Sequence, residues 1–256
     1  MSDISVGSMV MEVDGEGLPV VMIHGLGGTS NSFQTLLSSL GDYKIYRPDL
    51  PGAGRSQFKP GHPGLEGLAS AVYDILKVSG IKKAHFVGHS MGTLICQYLA
   101  AGSTEIVDGM TLFGPLLEPP VAARQALKER GQQARAGNMP AIADGISAGS
   151  VSKGKPVATA FVRESILRQN SRGYASHCEA LSAAPPAEHS SIKVPTLLIA
   201  GETDPVAPVP MVRQLEKNIS TAHLEIIPEV GHWMMMEAPG RSAELLRNHL
   251  DACRKK

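Results

Sequence analysis

The pentapeptide Gly88-His89-Ser90-Met91-Gly92 stands where an apolar run, Ala84 to Val87, ends and a helical pattern opening near Met91 begins. A strand that turns straight into a helix holds its central residue on a tight, strained bend, and side chains two positions to either side would collide there. Glycine at 88 and 92 removes them. The bend lifts the Ser90 hydroxyl clear of the sheet and aims the positive N-terminal end of the next helix at whatever charge develops beside it.

The remainder of the chain repeats that unit. Short apolar runs at Pro19 to His24, Tyr43 to Pro48, Ala84 to Gly88, Gly109 to Phe113, Thr196 to Ala200 and Leu224 to Ile227 read as buried strands. Between them, Phe33, Leu36, Leu37 and Leu40, and again Leu65, Leu68, Ala69, Val72, Ile75 and Leu76, place apolar residues on one helical face. The alternation predicts an α/β chain with a mostly parallel, doubly wound sheet. At the start, Val6 to Val13, then Asp14-Gly15, then a second apolar run predict an antiparallel hairpin at the sheet's edge. The rhythm breaks between Leu116 and about Ile192, where Pro119-Pro120, Pro140, Pro156 and Pro185-Pro186 interrupt Ala-rich and charged helical stretches that hold no good strand. The expected organisation is a core of residues 1–115 and 193–256 carrying an inserted helical cap, 116–192.

Lysines and arginines balance aspartates and glutamates at 24 each, so no overall field favours nucleic acid or an acidic membrane surface. The closing Arg254-Lys255-Lys256 reads as a solvated tail. Cys96, Cys178 and Cys253 are odd in number and scattered, without C-x-x-C or paired-His spacing, which argues against a disulfide framework and a structural zinc site. No signal-peptide pattern occupies the first residues, and no apolar run approaches the ~20 residues that span a bilayer. These features point to a cytoplasmic protein with free thiols. The oligomeric state is not readable.

A serine hydroxyl needs a positioned imidazole as base and a carboxylate to fix the imidazole's tautomer. Of nine histidines, His232 alone follows a late strand in a loop that precedes a C-terminal helix, and it takes the base role. His24 and His89 are expected to border the site; His62, His85, His177, His189, His223 and His249 read as turn, surface or core positions. The carboxylate is Asp204 in Gly201-Glu202-Thr203-Asp204-Pro205, directly beyond a strand end. Glu202 and Glu118 compete for that role, and an aspartate there also suits the cap of a helix starting near Pro208. Donors for an oxyanion are available from the glycine-rich turn His24-Gly25-Leu26-Gly27-Gly28 and from the Met91 amide. In the loop Pro48 to Ser56, Asp49 and Arg55 read as internal partners. Nucleotide and metal motifs such as G-x-x-x-x-G-K-[ST] and H-E-x-x-H are absent, so the expected chemistry needs no cofactor.

Together, HGLGG, DLPGAGRS, GHSMG, GETDPVAP and PEVGHW resemble the α/β-hydrolase superfamily from about Met9 to about Leu250. The stretch Asn138 to Ala184, ending in SRGYASHCEAL, is similar to the cap of 3-oxoadipate enol-lactonase-like hydrolases, although it lacks a tryptophan and the sole Trp233 adjoins His232. The resemblance implies a serine hydrolase acting on a small carboxylic ester or lactone. Ser90 would attack the carbonyl, His232 would shuttle the proton, Asp204 would hold His232, and the amides of Leu26 and Met91 would bind the oxyanion. Trp233 is a candidate substrate contact, and Arg124, Arg130, Arg135, Arg163, Arg168 and Arg172 are candidates to meet a carboxylated substrate, against the alternative of solvated helix faces. Cys178 and Met234 to Met236 read as packing. The same triad also serves carbon-carbon hydrolysis of diketones and perhydrolase or cofactor-free haloperoxidase activity, and a small-molecule receptor can be built on the same scaffold.

Overall fold

The computed structural model describes residues 2–58, 64–102 and 105–255; His62 and Lys256 lie outside the described residues. Eight strands form one sheet: β1 (Ser2–Val6), β2 (Met9–Asp14), β3 (Leu18–Ile23), β4 (Tyr43–Pro48), β5 (Ala84–His89), β6 (Val107–Phe113), β7 (Thr196–Gly201) and β8 (Ala222–Ile227). The spatial order is β1-β2-β4-β3-β5-β6-β7-β8. β1, β2 and β4 pair antiparallel, and every pairing from β4 through β8 is parallel. Strands β3 to β8 lie within two residues of the sequence reading at either end.

The N-terminal hairpin turns elsewhere than expected. It reverses at Gly7-Ser8, with Val6 opposite Met9 and Gly7 at φ +60°, the first-position glycine that a two-residue turn favours. Asp14-Gly15 leads instead into a crossing: β2 pairs with β4, and β3 lies one strand further in. β3 is almost wholly apolar and is buried on both faces between β4 and β5, where a hairpin partner at the sheet's edge would have left it half exposed.

Strand alternation divides the core. Val21, Ile23, Phe86, Leu112 and Leu198 face one side, where α1 (Gly64–Val78) and α2 (Met91–Ala101) pack. Val20, Met22, Val87, Phe113, Leu197 and Ile199 face the other, against Phe33 and Leu36 of a 3₁₀ segment (Ser30–Ser39) and Leu245, Leu246 and Leu250 of α9 (Pro239–Arg254). Each such side chain, fully buried, contributes about 1.5–3 kcal/mol, so Phe86→Ala would cost about 3–5 kcal/mol.

Between β6 and β7 the chain forms α3 (Val121–Arg135), α4 (Met139–Ser150), α5 (Pro156–Leu167) and α6 (Ser171–Ala183). The prolines that break the sequence pattern sit at helix starts: Pro140 and Pro156 occupy the first turns of α4 and α5, where a missing N–H costs nothing. Gly173 of α6 meets Gly52 backbone to backbone, and a Cβ at Gly173 would collide with the Gly52 carbonyl. α7 (Val209–Asn218) follows β7, and the short α8 (Met234–Glu237) precedes α9.

Chain direction within the sheet positions everything that follows. From β3 the chain moves outward to β4, then returns to β5 on the other side of β3. Adjacent strands whose connections leave in opposite directions open a crevice at their carboxyl ends. The glycine-rich turn after β3 and Ser90 after β5 flank that crevice, with Ile23 beside Gly88 in the ladder.

Candidate active site

Ser90 sits on the bend at φ 51°, ψ −119°, a left-handed value that a non-glycine residue keeps only when its surroundings enforce it. Its N–H donates to the Phe113 carbonyl at 3.0 Å, and its carbonyl accepts from the Thr93 hydroxyl at 2.6 Å. The glycines on either side are sterically required: a Cβ at Gly92 would strike the Ile23 carbonyl, and one at Gly88 would lie 2.8 Å from the Gly92 oxygen. A Cβ at Gly25 would lie 2.8 Å from that of Ser90, so the turn after β3 approaches the serine as closely as its lack of side chain permits. Met91 opens α2, whose first amides have no partner within the helix.

His232 and Asp204 meet. His232 Nδ1 is 2.7 Å from Asp204 Oδ2, and both side chains are buried. Asp204 Oδ1 accepts from the amides of Val206 and Ala207 at 2.7 and 3.0 Å. One carboxylate oxygen is therefore held by backbone and the other by the imidazole. Burial alone would raise this carboxyl's pKa, yet His232 and the two amides hold it below its ordinary value. The helix-cap alternative is accommodated in part, since Asp204 closes the turn leading to α7, but the residue preceding that helix is Pro208. The competitors lie elsewhere: Glu202 accepts from the Glu229 amide, and Glu118 pairs with Arg124. Gly114, at φ +56°, makes room for the pair, because a Cβ there would lie 2.9 Å from His232 Nδ1 and 3.3 Å from Asp204 Oδ2.

Ser90, His232, Leu26, His89 and Trp233 line one cavity of about 320 Å³. Its other walls are apolar, from Leu116, Leu127, Ile146 and Leu181, with Arg130 as the one cationic side chain among the lining residues. Arg130 also interacts with the buried Tyr174. The other candidate arginines have neighbours away from the cavity: Arg124 with Glu118, Arg135 with Glu179, Arg163 with Asp144, and Arg168 with Glu164; Arg172 is exposed. Cys178, Met234 and Met235 are buried in the core and do not line the cavity.

Two histidines brace the site. The Leu50 amide donates to His24 Nε2 at 3.0 Å, so the ring's proton is on Nδ1, which donates to the Gly25 carbonyl at 2.9 Å. His24 is thus a fully buried strut joining two loops, not a lining residue as the sequence suggested. His89 donates from Nε2 to the His232 carbonyl at 2.9 Å and packs at a tilt against Trp233, 4.7 Å between ring centroids. Burial and the neighbouring His232 push its pKa down to about 3.

Glu237 escaped sequence reading. Its carboxylate is buried and accepts three backbone amides: Gly231 and Trp233, on either side of His232, and Ser152, just beyond α4. The His232 amide donates to the Ser150 carbonyl at 2.9 Å, and the Trp233 indole to the Ser150 hydroxyl at 3.1 Å. A lone acid closing the apolar run Trp233 to Met236 was the available cue. Asp49 and Arg55 do pair internally, with the Ser30 and Arg55 amides on the Asp49 carboxylate.

Residues 19–239 match the family described as the alpha/beta hydrolase fold. The chain belongs to that family, and it is a hydrolase of that fold. It is 27% identical over 238 residues to 3-oxoadipate enol-lactonase 1 of Acinetobacter baylyi, covering 88% of this chain and 86% of that one. It is 22% identical to (E)-2-((N-methylformamido)methylene)succinate hydrolase of the same organism, covering 93% of this chain and 92% of the relative. Among solved structures, the enol-lactonase from Burkholderia xenovorans LB400 superposes with a TM-score of 0.91 at 25% identity, covering 98% of this chain and 100% of that one. Among the described residues, no helix is long and apolar enough to cross a membrane.

Proposed function

We propose that the protein is a serine hydrolase of small carboxylic esters or lactones, with Ser90 as nucleophile, His232 as general base and acid, and Asp204 as the group that orients His232. The observation that carries this reading is the buried 2.7 Å contact between His232 Nδ1 and Asp204 Oδ2 at a cavity that His232 shares with Ser90 on its strained bend. With Nδ1 donating to Asp204, the lone pair of His232 Nε2 is left to take the serine proton. Ser90 Oγ attacks the carbonyl carbon, the amides of Leu26 and Met91 hold the oxyanion, and His232 returns the proton to the departing alkoxide. Water, deprotonated in turn by His232, then releases the acid and restores Ser90.

The apolar walls favour a small, largely hydrocarbon acyl group, and Arg130 offers a counter-charge for a carboxylate on the same substrate. Two relatives are named for derivatives of adipate and succinate, both dicarboxylic acids. We read the helical segment 116–192 as a cap over the site, supported by its contribution of Arg130, Ile146 and Leu181 to the cavity wall. Cys96, Cys178 and Cys253 form no disulfide among the described residues, which supports a cytoplasmic setting.

Hydrolysis of short p-nitrophenyl esters and of simple lactones, followed over many turnovers in the wild type and in Ser90→Ala, tests the reading. Turnover in the wild type that disappears in the alanine variant is the expected result. Equal turnover by both would remove Ser90 from the mechanism, and no turnover by a folded wild type would turn attention to diketone substrates or to ligand binding without catalysis.

A further inference from the structure

At the end of the sheet opposite Ser90, three metal-binding side chains converge from two distant parts of the chain. His249 and Cys253 stand one turn apart on α9, a spacing that projects both from one helical face, and His249 Nε2 lies 3.8 Å from Cys253 Sγ. His85, near the start of β5, presents its ring edge-on to His249 at 5.3 Å between centroids. Taking one ligand atom from each residue, all three lie within 4.8 Å of one another.

His85 carries the argument. Its Nε2 is 2.9 Å from the Thr111 hydroxyl, while its Nδ1 is buried without a hydrogen-bond partner. A buried polar atom left unsatisfied costs about 1–3 kcal/mol and calls for a reason. With the ring proton on Nε2 and directed at Thr111, Nδ1 offers a bare lone pair toward the cluster. That division, one nitrogen held by an outer hydrogen bond and the other free to coordinate, is the usual state of a metal-ligating histidine. Gly109 keeps the space open: a Cβ there would lie 2.8 Å from His85 Nδ1 and 3.4 Å from Cys253 Sγ.

We propose that His85 Nδ1, His249 Nε2 and Cys253 Sγ bind one Zn²⁺, with water as the fourth ligand. Two imidazoles and a thiolate suit this borderline-soft, tetrahedral cation. Zn–N bonds of about 2.0–2.1 Å and a Zn–S bond of about 2.3 Å require ligand atoms about 3.3–3.6 Å apart, so closure asks for movements of about 1 Å, supplied by side-chain rotation on α9. The thiol loses its proton to solvent as the metal binds. The site lies about 16 Å from Ser90 along β5, too far to touch a substrate there, and its effect is to fasten α9 to β5. The cysteine spacing alone gave no hint of zinc, because His85 is brought to the His-x-x-x-Cys pair only by the fold.

The test is Co²⁺ titration of the full chain after chelator treatment, followed by Zn²⁺ displacement. One equivalent of Co²⁺ with a thiolate-to-metal charge-transfer band and tetrahedral d–d bands is expected, together with a Zn²⁺-dependent rise in Tm. Cys253→Ser should lose the charge-transfer band, and His249→Ala should bind at least about 100-fold more weakly; both side chains are only partly buried, so these variants test the site even if His85→Ala does not fold. Ester turnover should be the same in Cys253→Ser as in the wild type, which keeps this result separate from the reading of Ser90. A wild type that shows no thiolate band at stoichiometric Co²⁺, or a Cys253→Ser variant that binds as tightly as the wild type, overturns the proposal.

Discussion

Replacing Glu237 should injure the protein in a graded way that follows from which oxygen accepts what. Oε2 accepts the amides of Gly231 and Ser152, both at 2.9 Å, and Oε1 accepts that of Trp233 at 3.0 Å. Glu237→Ala strands all three donors, of which those of Gly231 and Trp233 belong to buried residues. At about 1–3 kcal/mol for each unsatisfied donor, and with water reaching part of the cavity so formed, the loss is about 3–5 kcal/mol. For a chain of this size that is a fall in Tm of about 6–20 °C. Glu237→Gln keeps one oxygen, enough for the Gly231 and Ser152 amides, but turns an NH₂ group toward the Trp233 N–H; its cost is about 1–3 kcal/mol. Urea unfolding gives the stabilities, and p-nitrophenyl ester turnover reports on the His232 loop. We expect kcat to fall more than KM rises in both variants, because the loop that is loosened carries His232 and not the apolar walls. A Glu237→Ala protein within 1 kcal/mol of wild type would refute the inference that this carboxylate holds the loop.

Asp204→Asn should leave the fold intact and lower kcat by about 10⁴-fold, since an amide no longer fixes the His232 tautomer; an effect below tenfold, measured with the same esters, would move the orienting role to another group. Gly114→Ala pushes a methyl group into His232 and strains a left-handed residue, so turnover should drop by about 100-fold, the scale of a misplacement near 1 Å, and steady-state kinetics would reveal an undisturbed site if it does not. Acid should destabilise the chain from about pH 6.5 downward. His24, His85 and His89 are held neutral by burial, with pKa values below the ordinary one. The unfolded chain therefore binds protons that the folded chain refuses, and stability is lost as pH falls through the unfolded value. His89, with a pKa of about 3, stays neutral throughout that window and alone removes about 1 kcal/mol between pH 6 and 5, with His24 and His85 acting in the same direction. Urea midpoints in chelator-containing buffer at pH 7, 6 and 5 check this; a flat series contradicts it.

The inner strands and the bend at Ser90 were readable because their signals are local: an apolar run buried on both faces, then glycines where no Cβ fits. The hairpin was misjudged because Ser2 to Val6 is a short edge strand, mostly exposed and with only two apolar residues, so Asp14-Gly15 looked the stronger turn. The placements that sequence could not supply join residues remote in the chain. Arg47, fully buried against Glu12 and Asp14, reads in sequence as an ordinary basic residue in a strand. Glu237 acquires its three donors only when the segment beyond α4 folds back onto the His232 loop. His24 was expected at the site and lies beneath it, because its ring is consumed by bonds to Gly25 and Leu50.

The cavity wall contains Pro119, Pro120, Pro205 and Pro208, and of these Pro120, Pro205 and Pro208 are exposed, together with Ala126 and Val206. The opposite end, around Ser90, His232 and Tyr174, is buried. The mouth therefore lies between the start of α3 and the approach to α7, framed by rings whose φ is fixed. The far side is stitched to the His232 loop at Ser150 and Ser152. A molecule bound at Ser90 would therefore meet proline rings at its outer end and the buried triad residues at its inner end.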